Sequence, residues 1–338
     1  MTRISRRAVM AGVLPAAAMV ASGLEAAAGV EALASGVGDE LRGLSLAGGA
    51  VWLSGNHGTV VVDGRVRRPP GAEALDFRGL HAFSPTEALA TSAGPGAAST
   101  LWRTSDAGLS WTRTRVNDDP AGFWDAIAFA GRRRGFILGD PTQGRFTLLR
   151  TTDGGASWTR ATAESLPPLA GDEAAYAASN GSLAIGPKGQ VAFCTGGGPS
   201  WARVYLSRDG GARFRALDTP IPAGAPSRGA YAAAFDAAGA LWVCGGDYLA
   251  PRAQGVNLAR LGPGSSLFQA VEAPAGYLSS LAARDGMVIA TGLAGTVVSQ
   301  AGRPFRRVSE TPFNTVRLAR DGEATLAGPK GAMARWRA

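Results

Sequence analysis

Short apolar runs, each closed by glycine or a small hydroxyl residue and set between polar, turn-rich stretches, recur along this chain. Seven stand out, at residues 51–55, 88–92, 135–139, 191–195, 241–245, 287–291 and 324–328. Their length is that of strands, and no sustained helical period appears between them. They begin roughly 36 to 56 residues apart, which fits four-stranded propeller blades better than leucine-rich or helical repeats. The pattern predicts an all-β chain folded as one seven-bladed β-propeller over residues 41–338. The last unit, from Phe313 onward, offers only three strands. Ring closure is expected to borrow the fourth from residues 41–46, removing the open sheet edges, with residues 29–40 a flexible lead-in.

A second repeat is written in the turns. Thr104-x-Asp106-x-Gly108-x-x-Trp111, Thr151-x-Asp153-x-Gly155-x-x-Trp158 and Ser207-x-Asp209-x-Gly211-x-x-Phe214 share one pattern. An aspartate carboxylate accepts backbone N–H groups inside a tight hairpin, and glycine supplies the positive φ that the turn demands. The aromatic then opens the next strand and packs inward. The pattern resembles the Asp-box, or bacterial neuraminidase repeat, and assigns the aspartate, glycine and aromatic of each turn to structure rather than to chemistry.

Composition changes the picture at the N-terminus. Ser5, Arg6 and Arg7 precede an apolar stretch from Ala8 to Leu24, a layout that resembles a twin-arginine export signal. Pro15 interrupts that stretch, which is shorter than the roughly 20 residues needed to span a bilayer, so residues 1–28 read as a cleavable signal and not an anchor. The expected product is periplasmic or secreted, with no stable membrane insertion after cleavage. Loss of the segment leaves about +6 of the formal net charge of +8, nearly all of it arginine, since Lys188 and Lys330 are the only lysines. Arginine favours bidentate pairing with carboxylates and phosphates. Beyond Arg132, Arg133 and Arg134 there is no basic cluster, which argues against a nucleic-acid partner.

Metal and redox chemistry find little support. Cys194 and Cys244 occupy parallel repeat positions without ligand spacing, and His57 and His81 are the only histidines. The cysteines read as small buried residues of neighbouring blades, with their pairing left open. No GxGxxG follows a strand, and no haem ligand set is present. No cofactor and no metal are expected.

With these anchors in view, the chain resembles the propeller family of the photosystem II stability and assembly factor over its whole mature length. The resemblance rests on the three turns and on Phe123-Trp124-Asp125-Ala126-Ile127-Ala128-Phe129. It rests also on the Gly135-to-Pro141 run, the run from Thr195 to Gly198, and Gly245-Gly246-Asp247-Tyr248. It implies a cofactor-free scaffold that binds a protein or peptide client.

In such a blade the Asp-box turn lies on one rim, and loops between second and third strands open on the other. That mouth is where ligands of closed β folds gather. The loops concerned would bring together Asp125, Asp140, Arg145, Trp201, Arg203, Asp247, Tyr248 and Arg252 as the partner-binding set. Aromatics with arginines suit a peptide, and carbohydrate is the alternative ligand. A glycoside hydrolase, sialidase-like or xyloglucan-cleaving-like, is the competing reading, with Asp125, Asp140 or Asp247 as acid or base. Arg145, Arg203, Arg228 and Tyr248 match no sialidase motif, and six blades, not seven, are usual there. No catalytic residue is assigned.

Overall fold

The computed structural model describes residues 29–338. Residues 1–28, the stretch expected to be an export signal, lie outside the described residues. Within them the chain forms seven antiparallel sheets arranged as a β-propeller. The innermost strands, in ring order, are Leu41–Ala47, Phe77–Ala82, Trp124–Ala130, Leu183–Ile185, Arg228–Phe235, Ser280–Arg284 and Thr315–Leu318, here defining blades 1 to 7. Helix is confined to three short 3-10 turns among the described residues.

Each of the seven apolar runs in the sequence is the second strand of a blade. These strands bury both faces, as Val191–Cys194 and Ala324–Ala327 do at every position. The reason is that the core lies between blades and not within one. One cluster packs Trp52 and Val60 of blade 1 against Phe77 and Leu80 of blade 2. Another joins Phe136 and Leu148 of blade 3 to Phe193 and Tyr205 of blade 4. Cys194 packs across the next interface with Ala230 and Val243 of blade 5, and Cys244 across the one after it with Leu281 and Ala290 of blade 6. Both thiols are free and buried.

Ring closure departs from the expectation. Leu41–Ala47 is the innermost strand of blade 1, paired to Ala50–Gly55. The strand that completes blade 7 is Val30–Ala34, which pairs antiparallel with Ala332–Trp336 on the outer edge. Residues 30–34 are therefore part of the sheet, not a loose lead-in, and Val30 packs against the cluster that contains fully buried Trp336. No residue of this outer-edge strand is fully buried, so little selects an apolar face and the sequence shows almost no alternation there.

Candidate functional site

A repeated irregularity at the start of the innermost strands builds the mouth. Pairing slips by one residue between Leu41 and Gly43, Phe77 and Gly79, Trp124 and Ala126, and Ala230 and Ala232. The extra residue of a bulge leaves the ladder, and its side chain is re-aimed. Those extra residues are Arg42, Arg78, Asp125 and Tyr231.

A segment from the linker between blades 3 and 4 fills the upper channel. Glu173–Ala174 pairs with Gly196–Gly197, which continue the blade 5 sheet through Gly196 opposite Gly229. The approach is so close that a Cβ on Gly229 would sit 2.3 Å from the Gly196 Cα. From there Ala177, Ala178, Ser179 and Asn180 run buried along the axis. Arg78 donates to the Ala177 carbonyl at 3.2 Å and Arg42 to the Ala178 carbonyl at 3.1 Å. Ser179 donates to the Ser279 carbonyl at 2.6 Å. Asn180 accepts from the Ile127 amide at 2.8 Å and donates to the Leu80 carbonyl at 3.0 Å. Its φ of +57° is tolerated because asparagine enters the left-handed region more readily than most residues. One strap thus ties blades 1, 2, 3 and 6 to the hub.

Four tyrosines cap the strap. Tyr176 stacks on Tyr231 at 4.0 Å between centroids, and Tyr277 meets Tyr231 edge-on at 4.8 Å, with Tyr248 packed beside them. The arginines of the upper channel are paired, Arg42 with Glu40 at 3.2 Å and Arg78 with Asp76 at 2.7 Å. Burial pulls the Arg42 guanidinium below its ordinary value, and the positive charge of Arg78 pushes the same way.

All eight residues singled out for partner binding fall at the mouth end of blades 3, 4 and 5, but the structure gives them different work. Asp125 is buried at the blade 3 bulge. Asp140 accepts the Ala175 amide at 3.1 Å and so holds the start of the strap. Arg203 is committed: its Nε donates to Glu173 Oε1 at 2.8 Å, and its Nη2 bonds Glu173 Oε2 and the Tyr205 hydroxyl. Burial raises the Glu173 carboxyl, yet the Arg203 hydrogen bonds outweigh it and hold the group below the usual range. Asp247 pairs with Arg228 at 2.9 Å and accepts the Leu249 amide at 3.0 Å. Burial raises its carboxyl, and the Arg228 bond more than offsets that. Tyr248 belongs to the tyrosine cluster. Arg145 is half-buried and folds back to the Gly144 carbonyl.

What remains outward is Trp201, 50% exposed, and Arg252, whose side chain is 77% exposed. Sequence reasoning missed Leu249, which is 61% exposed on the same loop as Arg252. Backbone contacts join these positions into one ridge: Trp201 lies opposite Pro222, Gly224 bonds Gly197, and the Tyr248 amide donates to the Ser227 carbonyl. A separate cleft of about 440 Å³ opens beside blades 2 and 3, where Arg160 and Asp119 neutralise one another at 3.6 Å.

The opposite rim holds the three turns, which share one geometry. In each the hydroxyl of Thr104, Thr151 or Ser207 donates to its aspartate at 2.7 or 2.8 Å and accepts the buried amide of Gly108, Gly155 or Gly211. The carboxylate caps exposed amides, those of Ser110, Ser157 and Arg213. The Ser110 and Ser157 hydroxyls hold Asp106 and Asp153 below the usual carboxylate range, and the Ser207 hydroxyl does so for Asp209.

No protein-family model matches the sequence, and no curated protein matches it. Solved structures do. YCF48 bound to D1 peptide superposes with a TM-score of 0.65 at 17% identity, covering 91% of this chain and 97% of that one. YCF48 from Cyanidioschyzon merolae gives 0.65 at 15% identity, over 92% and 99% of the two chains. This chain shares their propeller fold. A streptogramin B lyase shares it too, with a TM-score of 0.60 at 14% identity over 93% of this chain and 99% of the other. Among the described residues no group of His, Cys, Asp or Glu is arranged to hold a metal ion, and no helix is long and apolar enough to cross a membrane.

Proposed function

We propose that this chain is an exported binding scaffold that grips an extended segment of a protein client along the mouth of blades 4 and 5, without catalytic turnover. The observation that carries the reading is the outward ridge of Trp201, Leu249 and Arg252, two large apolar side chains and a largely exposed cation whose one carboxylate contact, Glu310 at 3.8 Å, is itself exposed, beside a strapped hub. Interfaces concentrate their binding energy in such aromatic and arginine anchors. A solved neighbour of the same fold is YCF48 bound to D1 peptide, which supports a peptide-class client. The three Ser/Thr-x-Asp-x-Gly turns are read as Asp-boxes with a structural role, and the twin-arginine leader as the route of export.

The hydrolase reading fares worse on chemistry. A general acid needs a carboxyl whose pKa is raised toward neutrality. Asp247 is held down by Arg228, and Asp140 is engaged by a strap amide. The test is capture of clients from periplasmic extract by the mature chain, compared with a Trp201→Ala, Leu249→Ser, Arg252→Ala variant of equal stability. A client bound by both alike overturns the ridge as the site. Arg203 does not belong in that variant, because its loss strands the Glu173 charge.

A further inference from the structure

Below the strap the axial channel is a blind cavity. Asn180 and Gly181 form its floor, and the C-terminal halves of the innermost strands form its walls, so it opens on the rim of the aspartate turns, opposite the mouth. Its volume is about 280 Å³, just under the range of roughly 300–1,000 Å³ usual for small-molecule pockets. Ile185, Phe235 and Leu318, with Ala128 and Ala283, give the wall an apolar part, while Leu44, Leu80 and Ile127 lie behind it, buried between the blades.

Arg317 stands in that wall, with Arg284 nearer the opening, and no aspartate or glutamate lines the cavity. Neither arginine makes an ion pair among the described residues. Arg317 Nη1 donates to its neighbour's carbonyl, that of Val316, at 2.8 Å and reaches the Ser280 hydroxyl at 3.5 Å. Guanidinium carries five donors, so most of the fork faces the cavity without a protein acceptor. Burial lowers the Arg317 guanidinium to about 10, the mark of a cation without compensation. His81 lines the same cavity, edge-on to Phe83 at 4.8 Å and tilted against Phe129 at 5.0 Å between centroids. Burial, then the charge of Arg317, lowers it to about 4, so at neutral pH it is an uncharged imidazole with both nitrogens available for hydrogen bonding.

We propose that this cavity binds a small amphipathic anion, a carboxylate-type head on a compact apolar body, with Arg317 holding the head and the Leu, Ile and Phe wall enclosing the body. A half-buried guanidinium gains from a carboxylate partner through charge-assisted hydrogen bonds, and in this ring the pairing is left to a ligand. The two arginines of the upper channel, Arg42 and Arg78, have carboxylates of their own; Arg317, in the same ring, has none.

Hexanoate is the probe, titrated into the mature chain by calorimetry with thermal unfolding alongside, and compared with hexanamide and with inorganic phosphate. Hexanoate binds and raises the melting temperature, and both comparison compounds bind at least tenfold more weakly, because one lacks the charge and the other the apolar body. Arg317→Met loses at least tenfold in hexanoate affinity, and Arg317→Lys retains part of it. If Arg317→Met fails to fold, Ala283→Leu, which fills the cavity from its wall, abolishes binding instead. Absence of hexanoate binding up to about 10 mM, equal binding of hexanamide or phosphate, or unchanged affinity in the folded Arg317→Met or Ala283→Leu protein overturns the proposal.

Discussion

The two rims of this propeller use the same residue types to opposite ends. On the turn rim, Asp106, Asp153 and Asp209 each close a hairpin with their own hydroxyl and amide partners. On the mouth rim, Arg203 and Asp247 are likewise locked, to Glu173 and Arg228, whereas Trp201, Leu249 and Arg252 project. Residue type alone does not separate scaffold from binding surface; a buried internal partner does, since Arg252 meets only Glu310, at 3.8 Å and with both side chains largely exposed.

The comparison breaks most visibly at the buried pair. Glu173 has a side chain only 2% exposed, and Arg203 one only 15% exposed. Removing one partner of such a pair leaves an uncompensated charge, so Glu173→Ala should cost about 3–5 kcal/mol in denaturant unfolding. A loss below about 1 kcal/mol would place Arg203 back among the free mouth arginines.

Next come the turns. The buried hydroxyl, and not the carboxylate, satisfies the buried glycine amide, so Thr151→Val should lower stability by about 1–3 kcal/mol. Asp153→Ala should lower the melting temperature by less, and Asp153→Asn by less again, since the amide oxygen still accepts from Ser157. Asp153→Ala more damaging than Thr151→Val would reverse the assignment of roles.

Acid titration probes both rims together. Asp106, Asp153, Asp209, Glu173 and Asp247 all have folded-state values below their ordinary ones. Their contribution is present above the unfolded carboxylate values and is lost as pH falls through about 4 and below. His81 acts earlier: its folded value of about 4 lies below 6.5, so the unfolded chain binds its proton first and stability starts to fall below about pH 6.5. Unfolding midpoints from pH 8 to 3 should show that early fall in the parent and its loss in His81→Phe.

The smallest stability effects belong to the ridge. Arg252→Ala and Leu249→Ser should stay within about ±0.5 kcal/mol of the parent. A larger cost would mean that the ridge supports the fold and is no free surface.

Much of this architecture is legible in the sequence because the core lies between blades. Every second strand is buried on both faces, so runs such as 191–195 and 241–245 announce themselves. The closing strand Val30–Ala34 does not, since an edge strand with an exposed glutamate and alanines carries little pattern. The strap is silent for another reason. Apart from Tyr176, its residues from Ala174 to Asn180 are small and unpatterned, and Asn180 finds its carbonyl partner 100 positions away at Leu80. Arg203 looked like a free mouth arginine because its acid, Glu173, lies 30 residues earlier in a linker. The ridge was half visible: Trp201 and Arg252 stand out by residue type, and Leu249 only by its exposure.

One measurement bears most directly on the central claim. The mature chain and its Trp201→Ala, Leu249→Ser, Arg252→Ala variant are compared for capture of periplasmic proteins, with both screened against aryl glycosides and sialosides. The account predicts a client held by the parent and lost by the variant, and no glycoside turned over by either. Turnover that disappears in a folded Asp140→Ala or Asp247→Ala protein would contradict it.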